Sequence, residues 1–157
     1  MDIQITPIPH SSQRYNTIGD WQFDSNRNLR VVVSKMGNVD FEFLVGLHEV
    51  IEAFLCRRAG ITTKQVDAFD MSWVGKGEPG DDVRAPYYRQ HMIATMIENI
   101  IGHELDIDWE EYDTILNLWT QNYAPPPASP DQGGPHKPTK EEFQDMFRME
   151  GQCDASH

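Results

Sequence analysis

Cysteine is scarce in this chain. Cys56 and Cys153 are the only two among 157 residues, too few for a disulfide framework or a Cys-rich zinc knuckle. Basic residues are also in short supply, with 13 Lys and Arg against 25 Asp and Glu and a formal net charge of −12. Phosphate backbones are gripped by clustered Lys and Arg, and anionic membrane surfaces by the same chemistry, so neither nucleic acid nor a membrane is an expected partner. No apolar run approaches the roughly 20 residues that span a bilayer. The opening MDIQITPIPH lacks the form of a signal peptide. Dinucleotide-binding, P-loop and nucleophile-elbow glycine patterns are all missing. What remains is the expectation of a soluble cytoplasmic protein with room for one compact core.

The charge is unevenly distributed. Between Arg89 and Lys137 there is no Lys or Arg, while Glu98, Glu104, Asp106, Asp108, Glu110, Glu111, Asp113 and Asp131 all fall there. Such a segment suits a cation site, a basic partner, or simply a solvated face.

Hydrophobic periodicity divides the chain into strands followed by helices. Ile3, Ile5 and Ile8 suggest an edge strand, limited by Pro7 and Pro9. Trp21 and Phe23, the turn residues Asp24 to Asn28, and the β-branched run LRVVVS predict a hairpin over about 19–35. The period then changes. Leu44, Leu47, Val50, Ile51, Phe54 and Leu55 mark a helix ending before Gly60, and Thr62 with Gln65 forms a capping box for a shorter one. Met92, Ile93, Met96, Ile97, Ile100 and Ile101 form the apolar stripe of a helix over about 87–103, and Asp108 caps a further helix from Trp109 to about Asn122. Residues 125–138 hold six of the ten prolines and read as a linker, after which Phe143, Met146, Phe147 and Met149 mark a short terminal helix. The expectation is an α+β fold: an N-terminal hairpin or small antiparallel sheet on a body of three to four helices. The domain covers 1–123, the linker 124–138, and the terminal helix and tail 139–157. That last helix suits homo-oligomerisation or capture of a protein partner.

One motif carries chemistry. Leu47-His48-Glu49-Val50-Ile51-Glu52 is one substitution from H-E-x-x-H, the helical pattern in which side chains at i and i+4 reach one metal while the intervening Glu accepts a proton from bound water. His48 and Glu52 are thus candidate metal ligands and Glu49 a candidate catalytic base, lying further toward solvent on the helical wheel. Zinc suits this set, with Mg²⁺ or Mn²⁺ as harder alternatives. His91 and Glu98, seven residues apart and close in azimuth, are the candidate completing ligands. Their row falls opposite the Ile/Met stripe, so a helix packed through that stripe would leave them in water. Asp67 and Asp70 are a second source of oxygen ligands. Cys56 reads as a small buried residue, and Trp21, Trp73, Trp109 and Trp119 as packing residues.

The segments Thr17 to Trp21, Leu47 to Ala53, Val66 to Asp70 and Ala85 through His91 to Glu98 resemble uncharacterised proteins of tailed phages and prophages. That resemblance implies an intracellular protein of a bacterial host. His48-Glu49-x-x-Glu52 is similar to the active-site helix of H-E-x-x-H zinc peptidases. Glu49-x-x-Glu52 followed by Asp67-x-x-Asp70 is similar to the Mg²⁺-binding pattern of all-helical nucleoside triphosphate pyrophosphohydrolases. Three functions follow as expectations: a metal-dependent hydrolase, a non-enzymatic phage accessory protein binding a host or phage partner, and a Mg²⁺-dependent nucleotide pyrophosphohydrolase.

Overall fold

The computed structural model describes residues 1–74 and 77–121. The proposed domain end at 123, the linker and the terminal helix lie outside the described residues. Strands β1 (Ile3–Ile8), β2 (Gly19–Phe23) and β3 (Leu29–Ser34) are followed by helices α1 (Val39–Ala59), α2 (Thr63–Ser72), α3 (Tyr88–Glu104) and α4 (Trp109–Gln121). Two single 3-10 turns, His10–Ser12 and Pro79–Asp81, connect them. The α+β class is as the periodicity predicts.

The expected hairpin is present, with β2 antiparallel to β3. Asp24 closes its turn by accepting from the backbone N–H groups of Asn26 and Asn28. The sheet differs from the expected antiparallel one in a single pairing. β1 runs parallel to β3, giving the order β1-β3-β2 with β3 central. An edge position suits β1, because Pro7 has no N–H to donate. Residues paired across the sheet share a face, so Ile5, Val31 and Trp21 form one row, and Pro7, Val33 and Gly19 the next. Leu29, Val31 and Val33 are buried on this face, and α1 packs across it.

Helix α1 starts at Asn38, whose side-chain oxygen accepts from the N–H groups of Asp40 and Phe41. It stops at Gly60, which takes the left-handed conformation that L side chains rarely adopt while Ile61 N–H bonds back to the Cys56 carbonyl. Between these ends α1 is covered on two sides, by the sheet and by α3, which is why it buries polar residues along with Leu44, Ala53 and Cys56. Cys56 is fully buried, as expected for a small apolar residue.

Helix α3 reverses the expectation. Its buried residues are His91, Ala94, Glu98 and Gly102, whereas Met96 and Ile100 of the apolar stripe are 63% and 62% exposed. Ala94 and Gly102 supply the reason. Small residues on the polar row let the α3 backbone approach α1 closely, with Gly102 against Leu44 and the Trp109 ring. Replacing Asn38 with Ala is expected to lower the unfolding free energy by about 1 kcal/mol, measured by urea denaturation; an unshifted midpoint would show that this cap adds nothing to α1.

Candidate metal centre

His48 and Glu52 stand one turn apart on α1, and His91 faces them from the first turn of α3. All three are buried. Three atoms converge. His48 Nε2 lies 3.1 Å from His91 Nδ1, His91 Nδ1 lies 3.0 Å from Glu52 Oε2, and His48 Nε2 lies 3.6 Å from Glu52 Oε2. Ligands of a tetrahedral zinc at 2.0–2.1 Å are separated from one another by about 3.4 Å. The triangle matches that size, and this trio can hold a metal ion.

Each member is held from behind by its other polar atom. His48 Nδ1 is 2.8 Å from Glu98 Oε2, so the ring proton sits there and the Nε2 lone pair points into the triangle. The second oxygen of Glu98 accepts a short hydrogen bond from the Tyr112 hydroxyl of α4. Glu52 accepts from the indole N–H of Trp21 at 2.9 Å through Oε1, leaving Oε2 for the centre. His91 Nε2 faces Asp81 Oδ1 at 3.4 Å, and with its proton on that nitrogen His91 would offer the Nδ1 lone pair to the centre. The His91 ring also lies against Gly80, where any Cβ would overlap it. Trp21, Asp81, Gly80 and Tyr112 are the residues that sequence reasoning missed. They come from three separate parts of the chain, and none lies at a spacing that relates it to the H-E-x-x-E segment.

Three acceptors facing one another require a cation between them, either a metal ion or a proton. Without metal, the proton is held on His48. Burial alone would lower the His48 imidazole, but its contacts with Glu52 and Glu98 carry it well above the ordinary value. Burial would likewise raise Glu52, and the two imidazoles beside it hold it down to about 2.

Glu98, expected as a ligand, stands behind His48 and outside the converging trio. Glu49 is not turned out to solvent as the helical wheel suggests. It is half-buried, with its carboxyl packed on Gly19 of β2 where a Cβ would collide with it, and it accepts no hydrogen bond from any described residue. Burial and the nearby charge of Glu52 push its carboxyl well above the usual range.

Asp67 and Asp70 do not join the trio. Asp67 receives both terminal nitrogens of Arg14 at 3.0 Å, and the same guanidinium holds Asp20 at 2.7 Å. Asp70 accepts from the hydroxyls of Tyr15 and Tyr87. Tyr87 in turn sets its ring edge-on to His91 at 6.2 Å, so this cluster buttresses the centre from the α2 side.

No protein-family model matches the chain, and no curated protein or solved structure does so either.

Burial pushes the Asp70 carboxyl up to about 7, against the opposing hydrogen bonds from Tyr87 and Tyr15. A carboxyl with a folded value above its unfolded one favours folding most at low pH, and that contribution fades as pH rises toward 7. In chelator-treated protein, urea midpoints of wild type and Asp70→Asn are therefore expected to shift in the variant's favour between pH 5 and pH 8. A difference between them that is independent of pH would show that Asp70 ionises as freely in the folded chain as in the unfolded one.

Proposed function

We propose that this protein binds one divalent transition-metal ion, zinc by its donor set, through His48 Nε2, Glu52 Oε2 and His91 Nδ1, and uses it for hydrolysis. The observation that carries the proposal is the convergence of three lone pairs, each residue being engaged through its remaining polar atom. Two imidazoles and one carboxylate are the mixed set that catalytic zinc sites use while keeping a fourth position for water or substrate. The all-oxygen preference of Mg²⁺ fits this trio less well. Committing Asp67 to Arg14 and Asp70 to two tyrosines likewise weighs against the nucleotide pyrophosphohydrolase reading, which needs those carboxylates free.

A metal at this position would lower the pKa of a bound water and polarise an ester, amide or phosphate bond. The protein's own groups do the rest. Glu98, fixed by Tyr112, orients His48; Trp21 orients Glu52; Gly80 leaves the space in which His91 sits. Glu49 is the residue we assign as general base. It follows His48 in the chain, and its carboxylate is free of hydrogen bonds from described residues. The resemblance to tailed-phage proteins supplies the setting of the proposal, the cytoplasm of a bacterial host. No helix among the described residues is long and apolar enough to cross a membrane.

Protein purified without chelator is expected to carry close to one ion per chain by elemental analysis, and His48→Ala or His91→Ala to lose it. Tyr112→Phe keeps all three ligands but releases Glu98, so metal affinity should fall about 10–100-fold. Glu49→Gln should retain the ion while slowing cleavage of activated ester, anilide and phosphodiester probes by at least about 100-fold. Absence of a stoichiometric ion sinks the metal reading. A loaded protein inert toward every probe removes the hydrolase and leaves a metal-binding accessory protein.

A further inference from the structure

We infer that the outer face of α3 is a two-fold symmetric interface with a second copy of this chain. At 100° per residue, Arg89, Ile93, Met96, Ile97, Ile100 and Glu104 fall within an arc of about 100° on one side of the helix. That side is the reverse of the row His91, Ala94, Glu98, Gly102 that builds the metal centre. Met96 and Ile100 are more than three-fifths exposed, Ile93 and Ile97 are half-buried, and Arg89 and Glu104 are exposed. Leaving side chains as large as Met96 and Ile100 in water forgoes the stabilisation that burying them would give.

The order of these residues indicates the occupant. The pattern is palindromic about the point between Met96 and Ile97: an apolar pair at the centre, Ile93 and Ile100 flanking it, and Arg89 and Glu104 closing the ends. In an antiparallel pair of α3 helices related by a two-fold axis through that point, Met96 meets Ile97 of the partner subunit and Ile93 meets Ile100 of the partner subunit. Arg89, about 22 Å along the helix from Glu104, then faces Glu104 of the partner subunit at each end. This is the self-complementary arrangement that an isologous interface requires. An unrelated partner would have no need of a sequence that matches its own reversal in size and in charge. The polar row and the apolar row thus divide α3 between a site within the chain and a contact between chains. Two helices of this length cover less than the roughly 800 Å² per partner of a standard stable complex, which points to a weak, concentration-dependent dimer.

Sedimentation of the full chain from about 1 to 200 µM, a span that brackets such affinities, tests this. The expected result is a monomer–dimer equilibrium that Ile100→Glu weakens at least tenfold while far-UV circular dichroism and metal content stay unchanged. Arg89→Glu alone should weaken the dimer by placing like charges at both ends, and Arg89→Glu combined with Glu104→Arg should restore it. A wild-type chain that stays monomeric throughout the range overturns the inference. So does a charge swap that fails to restore association, which would exclude the antiparallel register. A monomer that dimerises only after deletion of residues 124–157 would assign the face to that tail instead, and would equally overturn it.

Discussion

Three acceptor atoms meeting in a buried space cannot coexist without a proton or a metal ion among them, and the packing of α1 against α3 is built around that constraint. His48, Glu52 and His91 each present one acceptor inward and hold a second polar contact outward. Moving any one of the outer partners would release a side chain to rotate and quench itself elsewhere. Burial intensifies the requirement, because the same low dielectric that strengthens a satisfied network makes an unsatisfied one costly. A metal ion meets the demand with suitable spacing, and a proton on His48 meets it in the metal-free chain.

The supporting elements serve this centre in distinct ways. The sheet contributes a donor, the Trp21 indole that fixes Glu52, and an absence of bulk, Gly19, that admits Glu49 beside β2. Helix α4 contributes Tyr112, whose hydroxyl anchors Glu98 and through it the tautomer of His48. The turn before α3 contributes Gly80, which packs on the His91 ring, and Asp81, which faces its Nε2. On the far flank, Arg14 joins Asp20 of the sheet to Asp67 of α2, keeping the layer that carries Tyr87 and Asp70 in register with the site. The contacts that shape the trio are therefore also contacts that hold the elements together, and the burial of so many charged groups is tolerable only because nearly all have partners.

Legibility in the sequence tracked the range of the interaction. Elements with a local cause were readable: the hairpin from its turn residues, α1 from its spacing and Gly60, α2 from the Thr62 and Gln65 capping box. His48 and Glu52 were readable as a pair because i and i+4 share a helical face. His91 was readable as a candidate from its residue type and the helical azimuth it shares with Glu98. Two side-chain orientations were misread. An apolar stripe ordinarily marks the buried side of a helix, yet α3 exposes Met96 and Ile100 and buries the His/Glu row, and the small residues Ala94 and Gly102 on that row were the signal for close packing. The second was Glu49, which the wheel places toward solvent but which a glycine on another strand allows to tuck inward.

The sequence by itself determined which segments form strands and which form helices, and which two α1 residues point the same way, since these depend on backbone geometry over a few residues. Only the tertiary structure decided that β1 joins the sheet in parallel, that α3 presents its polar row to α1, and that Glu98 serves His48 from behind. Those outcomes rest on contacts between residues far apart in the chain. Their energies depend on which donor finds which acceptor once water is gone, and no local period records that choice.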